Sequence, residues 1–522
     1  MRCHQTKHLL VIGANEGVFP AYGGAFGVLT DKERTQLRVL GVPLTGGAIE
    51  GLKAEFAEIA GVFCSATNSV YVSCSGQPSF LYRRLCEIAG EEKSTSPIGI
   101  AITEPMEVGA YFVRANARSV AEEMGVFAQY QDIQAKNKHD LGELSINAVN
   151  KLYGETMNLS ASQVDKLADC RLAYFLRYGL RLKERKPATV DPAEFGSYIH
   201  AVLEDTGRRV MELGGFRQVS LETTLEIANE FSLQYIRSHF SQIDSQRLNY
   251  QFRKNAQELE MIVAELWQEL QESEFSPVAF ELGFGPDKDM DAINIAGSTM
   301  SARLRGFVDR VDAWEQGGHT YYRVVDYKTG KKDFDYCDIY NGLGLQMLLY
   351  LFALEENGSS VLGENPVAAG VQYFPARAPI VSMDGRADAA EAEKERQKLW
   401  KRKGLLLADE PVLAAMEPGD KPVRLSYTWK KDGTISGDLA DANQFKLLKA
   451  YIFALLGKMV DDIASGNVEA NPYVRGTTYS ACTYCPYGNI CHYEKVEGRR
   501  DYAAITAQKF WEDIEKEMSR NG

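Results

Sequence analysis

Three charged residues in one stretch of this 522-residue chain have the types and spacing of a hydrolytic centre. The stretch runs Arg303-Leu304-Arg305-Gly306-Phe307-Val308-Asp309-Arg310-Val311-Asp312, then Gly317-Gly318, then Tyr321-Tyr322-Arg323-Val324-Val325-Asp326-Tyr327-Lys328-Thr329-Gly330. Both halves are rich in β-formers and the paired glycines mark a turn, which predicts a β-hairpin. Residues two apart on a strand share a face, so Asp326 and Lys328 stand side by side and Asp309 on the partner strand can meet Asp326. Two carboxylates converging with a lysine suit metal-assisted phosphodiester hydrolysis. Hard oxygen ligands hold Mg²⁺, the metal activates water and neutralises the phosphate, and the lysine orients or stabilises the attacking hydroxide. A bare Asp-x-Lys is equally consistent with a surface ion pair, so the surroundings decide.

Downstream, Leu343 to Leu351 reads as a helix in which the i, i+4 spacing sets Gln346 and Tyr350 on one face. Upstream, Gly196 to Glu204 reads as a second helix carrying a lone histidine, His200. Glu281 lies in the strand-like run Val278-Ala279-Phe280-Glu281-Leu282, where a carboxylate needs a partner. On these residues alone, His200 also fits a satisfied, partly buried histidine, and Glu281 a salt-bridged edge residue.

A second constellation is Cys482-Thr483-Tyr484-Cys485-Pro486-Tyr487-Gly488-Asn489-Ile490-Cys491, a C-x2-C-x5-C run, with Cys170 the upstream cysteine in a comparably polar, basic setting. Ser160 or Ser162 can cap the helix that leads to Cys170. Four thiolates hold either Zn²⁺ or a [4Fe-4S] cluster, and the spacing leaves both open. Cys3, Cys64, Cys74, Cys86 and Cys337 have no such spacing and read as ordinary cysteines. From Lys166 to Lys186 seven basic residues, among them Arg171, Arg177, Arg181 and Lys183, stand against Asp169 and Glu184, with Tyr174, Phe175 and Tyr178 interleaved. This mixture suits a path for single-stranded DNA, and equally a helix with a solvated basic face.

The elements that must position these groups are those of an ordinary globular protein, with 45% hydrophobic and 25% charged residues. The net charge of −13 gives no whole-chain argument for nucleic-acid binding, although it permits a local basic groove. No apolar run reaches the roughly 20 residues of a membrane span, and Met1 opens onto Leu9-Leu10-Val11-Ile12 without the pattern of a signal peptide, so a cytoplasmic chain with no membrane partner is expected. Residues 1–90 read as α/β material, 91–157 as a connecting, partly helical region, 158–500 as long helices around the hairpin, and 501–522 as a closing amphipathic helix. There is no G-x-x-x-x-G-K-[ST] phosphate loop, so neither ATP hydrolysis nor DNA unwinding is expected of this polypeptide by itself.

Taken in order, His200, Glu281, Gly306-x-x-Asp309-Arg310-x-Asp312, Asp326-Tyr327-Lys328-x-Gly330 and Gln346-x-x-x-Tyr350 resemble the PD-(D/E)xK nuclease superfamily in its RecB-like form. The resemblance implies a restriction-endonuclease-like α/β fold with His200, Glu281, Asp309 and Asp326 around Mg²⁺ and Lys328 as the catalytic lysine. It implies that Gln346 and Tyr350 position DNA or active-site groups. From the composition of the basic arm, Arg171, Tyr174, Arg177 and Arg181 are the expected DNA contacts. It also implies a [4Fe-4S] cluster on Cys170, Cys482, Cys485 and Cys491, with a structural role. His8 to Pro20, Leu29 to Arg34 and Phe63 to Ser73 resemble the last helicase-like domain of AddB-type subunits, of superfamily 1 descent, here without the ATP-contacting arginine. The chain then corresponds to the C-terminal portion of a longer protein: a truncated helicase-like domain, a nuclease domain with a four-cysteine clasp, and an AddA-like helicase-nuclease as heterodimer partner. The implied function is a metal-dependent exonuclease that degrades the 5′-ended strand at double-strand breaks for recombinational repair. The same residues occur in stand-alone RecB-like exonucleases of CRISPR adaptation or phage DNA processing, and a non-catalytic DNA-binding scaffold would share the fold.

Overall fold

The glycine pair at the hairpin turn shows how locally this fold is determined. In the computed structural model Gly317 and Gly318 have φ of 60° and 79°, the left-handed conformation that a two-residue type I′ turn requires. The turn joins β6 (Ser301–Gln316) to β7 (His319–Lys328). The structure describes residues 6–20, 30–42, 47–75, 77–89, 143–183, 192–240, 246–379, 388–419, 421–476, 479–491, 498–502 and 504–521, with isolated positions between them. Cys3, Leu29, Glu184 to Lys186 and most of the connecting region lie outside the described residues.

The chain divides into two compact units, residues 1–138 and 139–522. In the first, β1 (Thr6–Ile12) pairs in parallel with β2 (Ala66–Ser73), and helices Asp31–Val39 and Ala48–Cys64 lie between them in sequence. Thr30 and Glu33 form a reciprocal capping box at the start of the first helix.

The second unit is built on a mixed sheet, eight-stranded among the described residues, in which β6 pairs with four other strands. The first part of β6 pairs with β3 (Thr156–Ser160) and β5 (Ile293–Ala296), and its remainder with β4 (Ser276–Phe284) and β7. Beyond β7 come β8 (Pro366–Pro375), parallel to it, and β9 (Lys403–Leu407), antiparallel to β8. Parallel neighbours need a crossover, and helix Gln346–Asn357 lies in the connection from β7 to β8.

Side-chain alternation along β7 divides the core. Tyr322 and Val324 join the large cluster that includes Leu348, Leu351 and Phe352 of the crossover helix, whereas Val325 and Tyr327 join a second cluster. That second cluster is formed by helices Pro192–Glu212, Leu221–Phe240 and Gln246–Glu272. The closing helix, Ala507–Asn521, buries Phe510 and Ile514 in the large cluster. Helix Ala161–Asp169 begins with a capping box between Ser160 and Gln163 and delivers Cys170 at its end.

A buried charge network braces the second cluster's side of the sheet. Glu269 accepts from Arg310 and Arg323, each at 3.1 Å, and from Arg402 at 2.8 Å, while Asp312 pairs with Arg310 and Arg323 at 2.8 Å. Burial works to raise the Glu269 pKa, but Arg402, Arg310 and Arg323 outweigh it and hold it at about 2.

Candidate active site

The β6–β7 register pairs Arg310 with Val325, which sets Asp309 opposite Asp326. Both carboxyls are buried, 7% and 1% exposed respectively, so two like charges share a space from which water is largely excluded. Burial, and then the charge of Asp326, push the Asp309 pKa up to about 7. Asp326 is also raised, chiefly by burial, against the pull of Lys328. Asp309 Oδ2 accepts from the Tyr327 amide at 2.8 Å. Neither Asp326 oxygen receives a well-formed hydrogen bond, although Lys328 Nζ is an ion-pair partner 2.5 Å from Oδ2. Two buried, mutually repelling carboxylates, one with an oxygen, Asp326 Oδ1, that has no partner, are a donor set that a hard cation would stabilise.

Two further groups converge on this pair. His200, from helix Pro192–Glu212, places Nδ1 3.3 Å from Asp309 Oδ2 and 3.9 Å from Glu281 Oε1. The ligand atoms of His200, Glu281 and Asp309 all lie within 4.8 Å of one another. Glu281 holds its position at a conformational cost: its φ of 47° is left-handed in the middle of β4.

On the opposite side, Lys328 Nζ approaches Gln346 Oε1 at 3.4 Å, and Gln346 Nε2 donates to the Tyr350 hydroxyl at 3.1 Å. The first turn of helix Gln346–Asn357 is thus tied to the lysine. A Cβ at Gly306 would stand 2.8 Å from Tyr350 Cε1 and 2.9 Å from Phe284 Cε1, so the glycine is what lets the Tyr350 ring close against β6.

A family model described as the PD-(D/E)XK nuclease superfamily matches residues 158–492. The chain belongs to that superfamily.

This PD-(D/E)XK protein is also similar over nearly its whole length to curated B-type subunits of ATP-dependent helicase/deoxyribonucleases. It is 30% identical to that of Acetivibrio thermocellus, over 94% of this chain and 47% of the relative. It is 28% identical to that of Thermoanaerobacter pseudethanolicus, over 100% and 49%, and 26% identical to that of Clostridium novyi, over 99% and 50%. The chain spans about half the length of the curated relatives it matches. No helix among the described residues of the nuclease-family chain is long and apolar enough to cross a membrane.

The structure brings Cys170, Cys482, Cys485 and Cys491 together around one cavity of about 320 Å³, walled also by Leu172, Leu176 and Tyr487. Burial, with Cys170 adding to it, pushes the Cys482 and Cys491 thiols above their ordinary range. The donor set of four thiols in an otherwise apolar wall fits a thiolate-ligated metal group.

The basic arm is more varied than its composition implies. Arg171 is ion-paired with Asp462, and its amide donates to Asn471 at 2.7 Å. Tyr174 is buried against Tyr153 and Tyr178. Arg177 and Arg181 do line a cleft, together with Lys183 and Arg305.

The hairpin pattern carries no side-chain signal for the part played by the Tyr327 backbone, whose amide holds Asp309 and whose carbonyl holds His200. The contribution of Glu269, across the sheet from the acids, was equally hidden; its only trace is an acid inside the apolar face of a helix.

Proposed function

We propose that this chain is a Mg²⁺-dependent deoxyribonuclease acting as an exonuclease, the nuclease portion of an AddB-like subunit that works on DNA with an AddA-like helicase-nuclease partner. The observation that carries the proposal is the opposition of Asp309 and Asp326, both buried and both raised in pKa, with His200 and Glu281 beside them. Asp309, Glu281 and His200 would hold the ion, with Asp326 completing the set. A divalent ion there supplies charge neutralisation on the phosphate and a bound water of lowered pKa.

The remaining work falls to the chain itself. Asp326 holds the Lys328 ammonium at its Oδ2, and Gln346 restrains it from the other side. Lys328 then presents a fixed positive charge for phosphate oxygens on which charge builds. The Tyr350 hydroxyl keeps the Gln346 amide oriented. Degradation of the 5′-ended strand at double-strand breaks, for recombinational repair, is what the resemblance to AddB-type subunits implies, and residues 1–90 correspond in this reading to a helicase-like segment.

For the cysteine cavity we favour a [4Fe-4S] cluster of structural role over Zn²⁺. A tetrahedral zinc, at about 2.3 Å from each sulfur, draws its ligands to within about 4 Å of one another. Here the four cysteines share the lining of an open cavity of about 320 Å³ with apolar side chains, and among the described residues their sulfurs form no group within 4.8 Å as His200, Glu281 and Asp309 do.

Anaerobic purification followed by iron and zinc assays, with Mg²⁺-dependent cleavage of end-labelled single-stranded DNA, tests both parts. About four irons per chain, lost in Cys485→Ser, together with cleavage, supports the reading. Zinc with cleavage removes the cluster alone, and a folded, metallated chain that cuts nothing even with its partner removes the nuclease.

A further inference from the structure

A second basic groove opens beside Lys328, away from the cysteine arm. It encloses about 540 Å³, with Lys328 and Tyr373 in its lining. Strand pairing assembles it: Lys328 of β7 stands opposite Pro375 of β8, and Tyr373 of β8 opposite Lys403 of β9. Two lysines thus flank the end of β8 from either side, at strand spacings of about 4.8 Å each. Lys331 and Lys332 extend the wall from the turn after β7, Arg377 from the segment after β8, and Lys398 and Lys401 from the end of helix Ala389–Leu399 and beyond.

The charge balance of this groove is opposite to that of the molecule. Its lining has seven cationic side chains and one acid, Asp333, in a chain of net charge −13. Some of the cations are paired: Lys331 with the groove's own Asp333 at 3.6 Å, and Arg377 with Glu258 at 3.6 Å and Lys398 with Glu395 at 2.5 Å, both outside the lining. The cation of each of these pairs is largely exposed, so such pairs contribute little and exchange readily for a phosphate. Among the described residues Lys332, Lys401 and Lys403 make no ion pair within 4 Å, although Lys332 acts at longer range on Asp165, Asp326 and Asp338 and Lys403 on Asp438, so the excess of cations along the groove is available to a polyanion. Pro375 and Leu399, the latter 54% exposed, set apolar surface among the cations. That mixture matches a single strand, whose unpaired bases can rest on apolar surface while its phosphates meet lysines.

We propose that this groove holds several nucleotides of single-stranded DNA on one side of the scissile phosphate, with Lys332, Arg377, Lys398, Lys401 and Lys403 as phosphate contacts. The proposal rests on the nuclease reading for the position of the scissile phosphate, whereas its test does not. The full chain is titrated into a fluorescent oligothymidylate of about 20 nucleotides without divalent ions, and anisotropy gives the dissociation constant over a range of KCl concentrations. Wild type is compared with the triple variant Arg377→Ala/Lys398→Ala/Lys401→Ala and with the charge-conserving Arg377→Lys/Lys398→Arg/Lys401→Arg.

Removing three phosphate contacts should weaken binding by about 10- to 100-fold near physiological salt and make the log–log salt slope shallower by about 2, at roughly 0.7 per contact. The charge-conserving variant should keep the wild-type slope, which separates lost contacts from lost folding. An alanine variant with unchanged affinity and slope overturns the proposal, as does a wild type that fails to bind the strand, or a loss confined to duplex DNA. If binding depends on the groove but wild type cuts no DNA with Mg²⁺, the nuclease reading fails and the groove stands. Cleavage with binding indifferent to the groove has the reverse meaning.

Discussion

Nε2 of His200 donates a hydrogen bond to the main-chain carbonyl of Tyr327 at 2.8 Å. A carbonyl carries no proton, so this contact requires the proton on Nε2 and leaves Nδ1 as the atom that faces Asp309 and Glu281. Although burial opposes it, Glu281 and Asp309 raise the His200 pKa, so a divalent ion bound at Nδ1 would displace a proton there. The next residue boundary adds to the effect, because the Tyr327 amide holds Asp309 Oδ2. One peptide segment of β7 therefore orients ligands on two other elements.

Replacing His200 with Ala removes one ligand and leaves the carboxylates in place. Divalent-ion affinity, measured by calorimetric titration of Mn²⁺, should fall by about tenfold or more, with little change in the unfolding midpoint. An unchanged affinity would make His200 a packing residue.

The arginines behind the sheet predict a stability effect. Glu269 is shared by Arg310, Arg323 and Arg402, all three buried. Glu269→Ala would leave buried guanidinium groups underpaired and should cost about 3–5 kcal/mol, read from the urea midpoint. A loss below about 1 kcal/mol would mean that Asp312 and Glu265, the latter 3.1 Å from Arg402, re-pair the cluster.

Asp165 predicts how stability depends on pH. Burial pushes its carboxyl from 3.8 to about 6, against the Gly344 amide that donates to it at 2.9 Å and the charge of Lys332. Because the folded-state pKa is raised, the ionised form is the costly one: stability is lost as pH rises through about 6 and regained as pH falls towards 4. Asp165→Asn keeps an acceptor for Gly344. It should be more stable than wild type by about 1–2 kcal/mol at pH 8, after allowance for partial exposure, with the difference gone below about pH 4. Denaturation curves at the two pH values check the sign; a variant less stable at pH 8 would contradict it.

The hairpin was legible because period-two alternation and a Gly-Gly turn leave one register, and that register alone sets Asp309 opposite Asp326. Gln346 and Tyr350 were legible for the same reason, one helical turn apart and joined by a hydrogen bond. His200 and Glu281 needed the family resemblance, since a lone histidine and a strand acid have no spacing that ties them to residues far along the chain. The left-handed backbone at Glu281 has no signature in a residue type that ordinarily avoids it. The groove of Lys398, Lys401 and Lys403 was not legible either, because it depends on the antiparallel return of β9 onto β8, a pairing that local sequence does not specify. In the basic arm, composition could not distinguish Arg171, committed to Asp462, from Arg177, which faces a cleft.

The most direct measurement is Mg²⁺-dependent cleavage of end-labelled single-stranded DNA by the wild-type chain and by Asp326→Ala, with the helicase-nuclease partner added where the chain alone is slow. Wild type should cleave in a manner that chelation abolishes, and Asp326→Ala should lose at least about 10²-fold with its folding and its metal analysis otherwise as in wild type. Cleavage at the wild-type rate by the folded variant would contradict the nuclease reading.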